Sequence, residues 1–207
     1  MPCSTCDARS CIRGGEYPEI CTTNLCSSNK RNESLELYTT PEYFNVVRSA
    51  YKTILRSRSA KWPRIQEIIF FARNAGFSRI GIASCISFAH EAKLLAALLR
   101  NEGFEVIDAM CKMGGLRKSD IGLLEDGQSD GPLCNPIMQA DALNQAGTEL
   151  NLVVGLCLGY DMVFNRYSEA FCTTLAVKDQ SLGVSAHFRE ALEAWQQETT
   201  QRASSAL

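Results

Sequence analysis

Hydrophobic and polar positions divide the chain into an apolar-poor beginning and a body of alternating strand-like and helix-like segments. Residues 1–34 are polar, dense in cysteine and poor in large apolar side chains, ending in "SSNKRNES". A stretch of that kind cannot bury a core of its own. "TTPEYFNVVRSAYKTILRSR" then predicts a helix, with Thr40 as its cap, Pro41 in the first turn, and Phe44, Val47, Tyr51 and Ile54 at helical spacing. "WPRIQEIIFFARNAG" repeats the pattern, with Pro63 early, Gly76 as the stop, and Ile68, Phe71, Ala72 and Ala75 as a core stripe.

Beyond Gly76 the period of the pattern switches repeatedly. "RIGIAS", "FEVIDAM", "ELNLVVG" and "TTLAVKD" read as strands. "SFAHEAKLLAALLRNEG", the segment from "CNPIMQADALNQAG", a short stretch around "MVFNRYSEA" and "AHFREALEAWQQET" read as helices. A glycine-punctuated loop, "KMGGLRKSDIGLLEDGQSDGP", separates the second strand from its helix. This alternation predicts an α/β, Rossmann-like three-layer fold, with a mostly parallel sheet of at least four strands joined by right-handed crossovers. The expected organisation is a cysteine-rich metal-binding arm over residues 1–34 and an α/β domain over residues 35–200, with "QRASSAL" as a frayed tail.

Composition narrows the function classes. At 207 residues, 45% hydrophobic and 21% charged, the chain is an ordinary globular domain with an appendage. A net charge of -2 gives no broad pull toward nucleic acid or an anionic membrane. No apolar run reaches the roughly 20 residues of a membrane span. "MPCSTCDARSCIRGG" lacks the apolar core of a signal peptide, so a cytoplasmic location is expected. Ten cysteines are many for that compartment and point to metal binding or redox chemistry. Only His90 and His187 offer imidazole, so any metal site must be dominated by thiolate, which favours zinc or an iron–sulfur cluster.

The cysteines fall in two sets. Cys85, Cys111 and Cys157 each end a predicted strand, and Cys134 opens a predicted helix after a loop. In an open α/β sheet, ligands bind outside the carboxyl ends of the strands, so these four thiols can converge on one edge. Helix N-termini at Cys85 and Cys134 would favour thiolate, Lys112 adds a cation beside Cys111, and Gly155 and Gly159 leave room around Cys157. Packing is the competing reading, because free cysteine often merely fills space. Cys172, at the start of a strand, is read as core. The second set, Cys3, Cys6, Cys11 and Cys21, has the spacing C-x2-C-x4-C-x9-C, with Cys26 as a possible substitute. It suits a structural zinc site or a flexible arm with free thiols.

"IGIASC", "EAKLLAALLRNEGFEVIDAMCK", "CNPIMQADALN" and "GLCLGYDMVFNRYSEA…TTLAVKD" together resemble a cysteine-rich family known as domain of unknown function 1847, whose members are often labelled metal-binding. The resemblance covers nearly the whole chain, including the N-terminal CxxC region. It implies shared positions at Cys85, Cys111, Cys134 and Cys157, alongside Lys112, Asn135, Pro136, Asn144 and Asp161. The chain departs at Tyr160, where many members carry histidine.

No dinucleotide or Walker-type phosphate loop and no nucleophile elbow is present. His90 reads as a core or surface histidine. Asp108, Asp161, Lys178 and Asp179 lie near strand ends, where they either support a site or are simply solvated. "FREALEAWQQE" is amphipathic and suits packing on the domain or against a second copy. The leading expectation is a [4Fe–4S] cluster on Cys85, Cys111, Cys134 and Cys157, supported by Lys112, Asn135 and Asp161, plus zinc in the arm. Its partner would be a redox protein or a small molecule. The alternatives are a metal-free thiol enzyme using Cys111 and Cys157, and a zinc-stapled interaction module.

Overall fold

The structure is a computed structural model and describes residues 3–180, 183–184, 190, 192–194 and 197. The chain divides into two compact units, Met1–Arg48 and Ser49–Leu207, so the boundary falls inside a helix.

The first unit contains a short 3-10 turn at Cys3–Thr5, helix α1 (Ser10–Arg13), a second 3-10 turn at Thr22–Leu25, helix α2 (Lys30–Thr39) and the start of α3 (Pro41–Ala60). Helix α2 forms where the sequence suggested only the polar end of an arm, and the expected boundary after residue 34 lies within it. Neither α1 nor α2 buries a residue, so local bonds hold α2: Lys30 pairs with Glu33 at 3.0 Å and Ser34 Oγ donates to Lys30 O. Thr40 does not cap α3 through its side chain, since its hydroxyl donates back to Leu37 O.

Helix α3 shows a reversal. Its predicted apolar stripe, Phe44, Val47, Tyr51 and Ile54, is exposed, while Ser49, Thr53 and Ser57 are buried. Thr53 Oγ1 satisfies itself on Ser49 O at 2.8 Å, so the small polar face can be covered without an orphaned hydroxyl.

In the second unit, α4 (Arg64–Ala75) runs from Pro63 to Gly76, which closes it in the left-handed region, as the sequence predicts. The sheet follows: β1 (Arg79–Ser84), β2 (Glu105–Met110), β3 (Leu150–Val154) and β4 (Phe171–Ala176), in the order β2-β1-β3-β4, every pair parallel. The central strands carry continuous apolar runs, since both faces are covered: β3 is buried throughout and β1 everywhere but its first residue. Gly81 in β1 makes space for the buried Asn151 of β3, whose Oδ1 would lie 2.0 Å from an added Cβ. Asn151 is satisfied there by Thr148 and Ser168.

Helix α5 (Ala89–Asn101) links β1 to β2, α6 (Pro136–Gln145) lies between β2 and β3, and α7 (Tyr160–Tyr167) links β3 to β4. Helices α6 and α7 pack together, and α5 packs on β1 and β2. The connection from β1 runs outward to β2, and the next returns past β1 to β3. That reversal makes the carboxyl ends of β1 and β3 the topological switch point, where an open α/β sheet leaves a crevice. A two-residue ribbon follows β4, with β5 (Lys178–Asp179) antiparallel to β6 (Gly183–Val184). Residues 190, 192–194 and 197 of the expected C-terminal helix are helical and Leu192 is buried; His187 and the tail lie outside the described residues. Among the described residues no helix is long and apolar enough to cross a membrane.

Candidate metal centre

Each crevice cysteine is delivered by a strand end or a helix start. Cys85 follows β1 directly; its N–H continues the ladder to Val154 O at 3.0 Å, and its carbonyl accepts from Phe88 N. Cys111 follows β2, with its N–H on Ser84 O at 2.9 Å and its carbonyl accepting from Asn135 N at 2.8 Å. That last bond draws the residue after Cys134 to the end of β2, although 22 residues of loop intervene between Cys111 and Cys134. Cys157 lies three residues past β3, and its carbonyl accepts from Tyr160 N and Asp161 N as α7 begins.

The thiols gather at one edge of the sheet. Cys85 and Cys111 are buried at 3% and 1% exposure, while Cys134 and Cys157 are partly exposed, so the site opens to one side. Ile86 N donates to Cys111 Sγ at 3.3 Å, and Cys85 and Cys134 lie near enough to Cys111 for their charge to act on it. Lys178 Nζ donates to Cys85 Sγ at 3.6 Å, and Cys157 is near enough for its charge to act on the same ammonium. The order of neighbours therefore runs Cys134, Cys111, Cys85, Lys178, Cys157.

Electrostatics differ along that chain. Burial pushes the Cys85 thiol up, but hydrogen bonds from the Ser87 N–H and hydroxyl and the Lys178 charge leave it below its ordinary value. Burial also dominates at Cys111, where the Ile86 N–H does not offset it and the negative charge of Cys134 and Cys85 adds to it, so its thiol is pushed up to about 11. Burial works against the Lys178 ammonium, yet the sulfurs of Cys85 and Cys157 hold it above its ordinary value.

The supporting residues act through the backbone. Asn135 caps α6, its Oδ1 accepting from Met138 N at 3.1 Å. Asp161 orders the turn after Cys157, its Oδ1 accepting from Gly159 N and Met162 N. Lys112 does not face a sulfur; its ammonium donates to Pro132 O at 2.8 Å and ties the two ends of the long loop together. The space at Gly155 belongs to the Phe88 ring, which a Cβ there would approach to 2.3 Å, whereas a Cβ at Gly159 would meet nothing within 4 Å. Asn144 joins α6 to the segment after α7 through Tyr167 O and Glu169 N. His90 and Asp108 are exposed, Asp108 pairing with Arg100 at 3.4 Å. Cys172 lies half-buried in β4 against the core, its thiol raised by burial, in keeping with a packing role.

Two residues that position the site were not singled out for it in the sequence. Gln139 is fully buried beneath the strand ends, where its Nε2 donates to Ser84 O at 3.2 Å and Ala109 O at 2.8 Å. Its signal is a lone amide among Pro136, Ala140 and Leu143 on one helical face. Lys178 looked like one of several strand-end charges; only the ribbon after β4 brings it over the thiols.

Among the described residues no three histidine, cysteine, aspartate or glutamate side chains stand close enough together to hold a single metal ion. The sulfurs around a cluster are held apart by the cluster itself, so the test of fit here is donor chemistry. Soft thiol donors and N–H groups of the Ile86–Ser87 turn directed at two of the sulfurs match what iron–sulfur groups take as ligands and hydrogen-bond donors.

In the N-terminal unit, Cys3, Cys6 and Cys21 line a cavity of about 240 Å³ together with Asp7 and Thr22, and Cys3 Sγ is 2.8 Å from Thr22 Oγ1. Hydrogen bonds from the Thr23 side chain and backbone lower the Cys21 thiol. Cys11, on α1, and Cys26 are exposed and do not line the cavity.

No solved structure matches the chain significantly. The "Uncharacterized protein MJ0455" of Methanocaldococcus jannaschii is 36% identical over 184 residues, which span 88% of this chain and 89% of its own. A family model matches residues 21–175, a stretch that includes the crevice cysteines and begins after Cys3, Cys6 and Cys11. The chain belongs to the family described as "Protein of unknown function (DUF1847)".

Proposed function

We propose that this chain is a thiolate-ligated iron–sulfur protein whose crevice cysteines, Cys85, Cys111, Cys134 and Cys157, hold a [4Fe–4S] cluster. The observation that carries the reading is the set of four free thiols brought to the switch point from four separate segments, with the Ile86 N–H on Cys111 and Lys178 beside Cys85. When bound, such a cluster supplies one-electron chemistry. Within that reading the chain's own residues have distinct tasks. Cys111 sits deepest, Cys134 and Cys157 lie toward solvent, and Gln139 fixes the strand ends that carry Cys85 and Cys111. Four-cysteine ligation suits electron transfer or sensing with a redox partner, whereas a three-cysteine site would leave an iron open for sulfur chemistry on a small molecule. Zinc in the arm is proposed at the cavity lined by Cys3, Cys6 and Cys21, whose thiols would have to draw together around the ion as it binds.

Anaerobic purification and reconstitution test this. The expected product is brown, contains about four irons and four sulfides per chain, and loses them in Cys157→Ser and Cys111→Ser. A colourless protein that takes up no iron or sulfide would sink the proposal. One observation favours a second reading, a metal-free dithiol: the Cys85 thiol is lowered and Cys111 is its neighbour at the adjoining strand end. In that case the Cys85 thiolate attacks a substrate disulfide and expels one substrate thiol, and Cys111, buried and pushed up to about 11, then attacks the mixed disulfide and releases the second, so the substrate disulfide is reduced as Cys85–Cys111 forms. Reversible formation of a Cys85–Cys111 disulfide in iron-free protein, seen by mass spectrometry, is its signature.

A further inference from the structure

We infer that Lys178 is the fixed counter-charge of the thiol crevice, offsetting the negative charge on the sulfurs of Cys85 and Cys157 and thereby setting the reduction potential of the centre they hold. The second half of that statement rests on the cluster reading; the first does not.

The geometry is specific. Lys178 is the first residue of β5, placed just after Ala176 and Val177 as the chain turns from the end of β4 into the antiparallel ribbon. That turn returns the ammonium to the carboxyl edge of the sheet, where Nζ lies 3.6 Å from Cys85 Sγ and 3.5 Å from Ser87 Oγ. Cys157, the thiol on the other side of the switch point, is near enough for its charge to act on the same ammonium. Among the described residues the ammonium meets a sulfur and a hydroxyl and forms no ion pair with a carboxylate. Lys112, the cation suggested by sequence proximity to a cysteine, is engaged on Pro132 O instead.

A positive charge this close to sulfur has a definite effect. Four thiolates on a [4Fe–4S] core leave a net negative centre, and each added electron makes it more negative. A nearby ammonium stabilises the reduced state more than the oxidised state, so the potential rises. In the iron-free protein the same charge draws anionic reagents toward Cys85 in preference to neutral ones.

The test uses full-length protein with Lys178→Met, Lys178→Gln and Lys178→Arg, in two arms. In reconstituted protein, the neutral variants should keep wild-type iron and sulfide while their midpoint potential falls, and Lys178→Arg should restore it. In iron-free protein, the ratio of Cys85 alkylation rates with iodoacetate and with iodoacetamide should drop about three- to tenfold in the neutral variants and recover in Lys178→Arg. Taking the ratio cancels any change in how much thiolate is present. An unchanged ratio overturns the counter-charge. An unchanged potential at full iron content overturns its role in tuning the centre. If wild-type protein takes up no iron, the cluster reading fails, and the ratio alone decides the role of Lys178.

Discussion

Gly155 carries a constraint that its neighbour Cys157 hides. Its φ of +65° lies in the left-handed region, and an added Cβ would sit 2.3–2.7 Å from three atoms of the buried Phe88 ring. Gly155→Ala should therefore destabilise the fold by about 2–4 kcal/mol, through backbone strain and overpacking together, measured as a lower denaturant midpoint at constant slope. Because Phe88 follows Cys85 by three residues, the same change should displace the crevice, not only weaken the core. At this scale the cysteines were legible, because strand length and topology alone place Cys85, Cys111 and Cys157 at one edge. The roles of glycine and lysine were not. Proximity in sequence pointed Gly155 at Cys157 and Lys112 at Cys111, whereas contacts across the fold give Gly155 to Phe88 and Lys112 to Pro132.

The long loop between β2 and α6 is the element that decides whether Cys134 joins the site. Its stem is closed by backbone bonds from Leu133 N to Leu116 O and from Lys118 N to Gly131 O, and by Lys112 on Pro132 O. Arg117 pairs with Asp130 at 2.7 Å and also bonds its backbone carbonyl, while Ser119 donates to the same carboxylate. The Arg117 side chain, then Ser119, hold the Asp130 carboxyl down to about 2. An unfolded aspartate titrates near 3.9, so this clamp contributes fully above about pH 4 and is lost as the pH falls toward 2. Amide exchange in residues 113–133 should accelerate over that window relative to the sheet. Asp130→Asn should reproduce the faster exchange at pH 7; equal protection in variant and wild type would remove the clamp. The sequence marked this segment as a glycine-rich loop, but its closing pairs bring together residues 11 or more positions apart, and no local pattern encodes them. Helix α3 makes the complementary point: spacing identified the helix, yet the buried side is Ser49, Thr53 and Ser57. Periodicity gives an apolar stripe its angle around the axis and leaves open what covers it.

For the whole molecule, the two cysteine sets lie in separate compact units, the crevice set in Ser49–Leu207 and the arm set in Met1–Arg48. Metal content should separate accordingly. A full-length Cys3→Ser, Cys6→Ser, Cys21→Ser variant should lose zinc and keep crevice iron and sulfide, whereas Cys11→Ser should keep both, as read by metal analysis. Loss of iron in the triple variant would tie the two sets together. The amino-acid sequence by itself determined the alternation of strands and helices beyond Gly76, a mostly parallel sheet and the edge to which the strand-end cysteines come. These follow from apolar periodicity and the handedness of crossovers, which are local or nearly local rules. Tertiary structure alone decided that Cys134 comes to the end of β2, that Gln139 braces the strand ends from beneath, and that Lys178 turns back over Cys85. Those are distances between segments 55 and 93 residues apart, set by how helices and the last ribbon pack on the sheet. A linear pattern has no term for such distances, so the sequence named the cysteines of the crevice and only the fold showed which charge faces them.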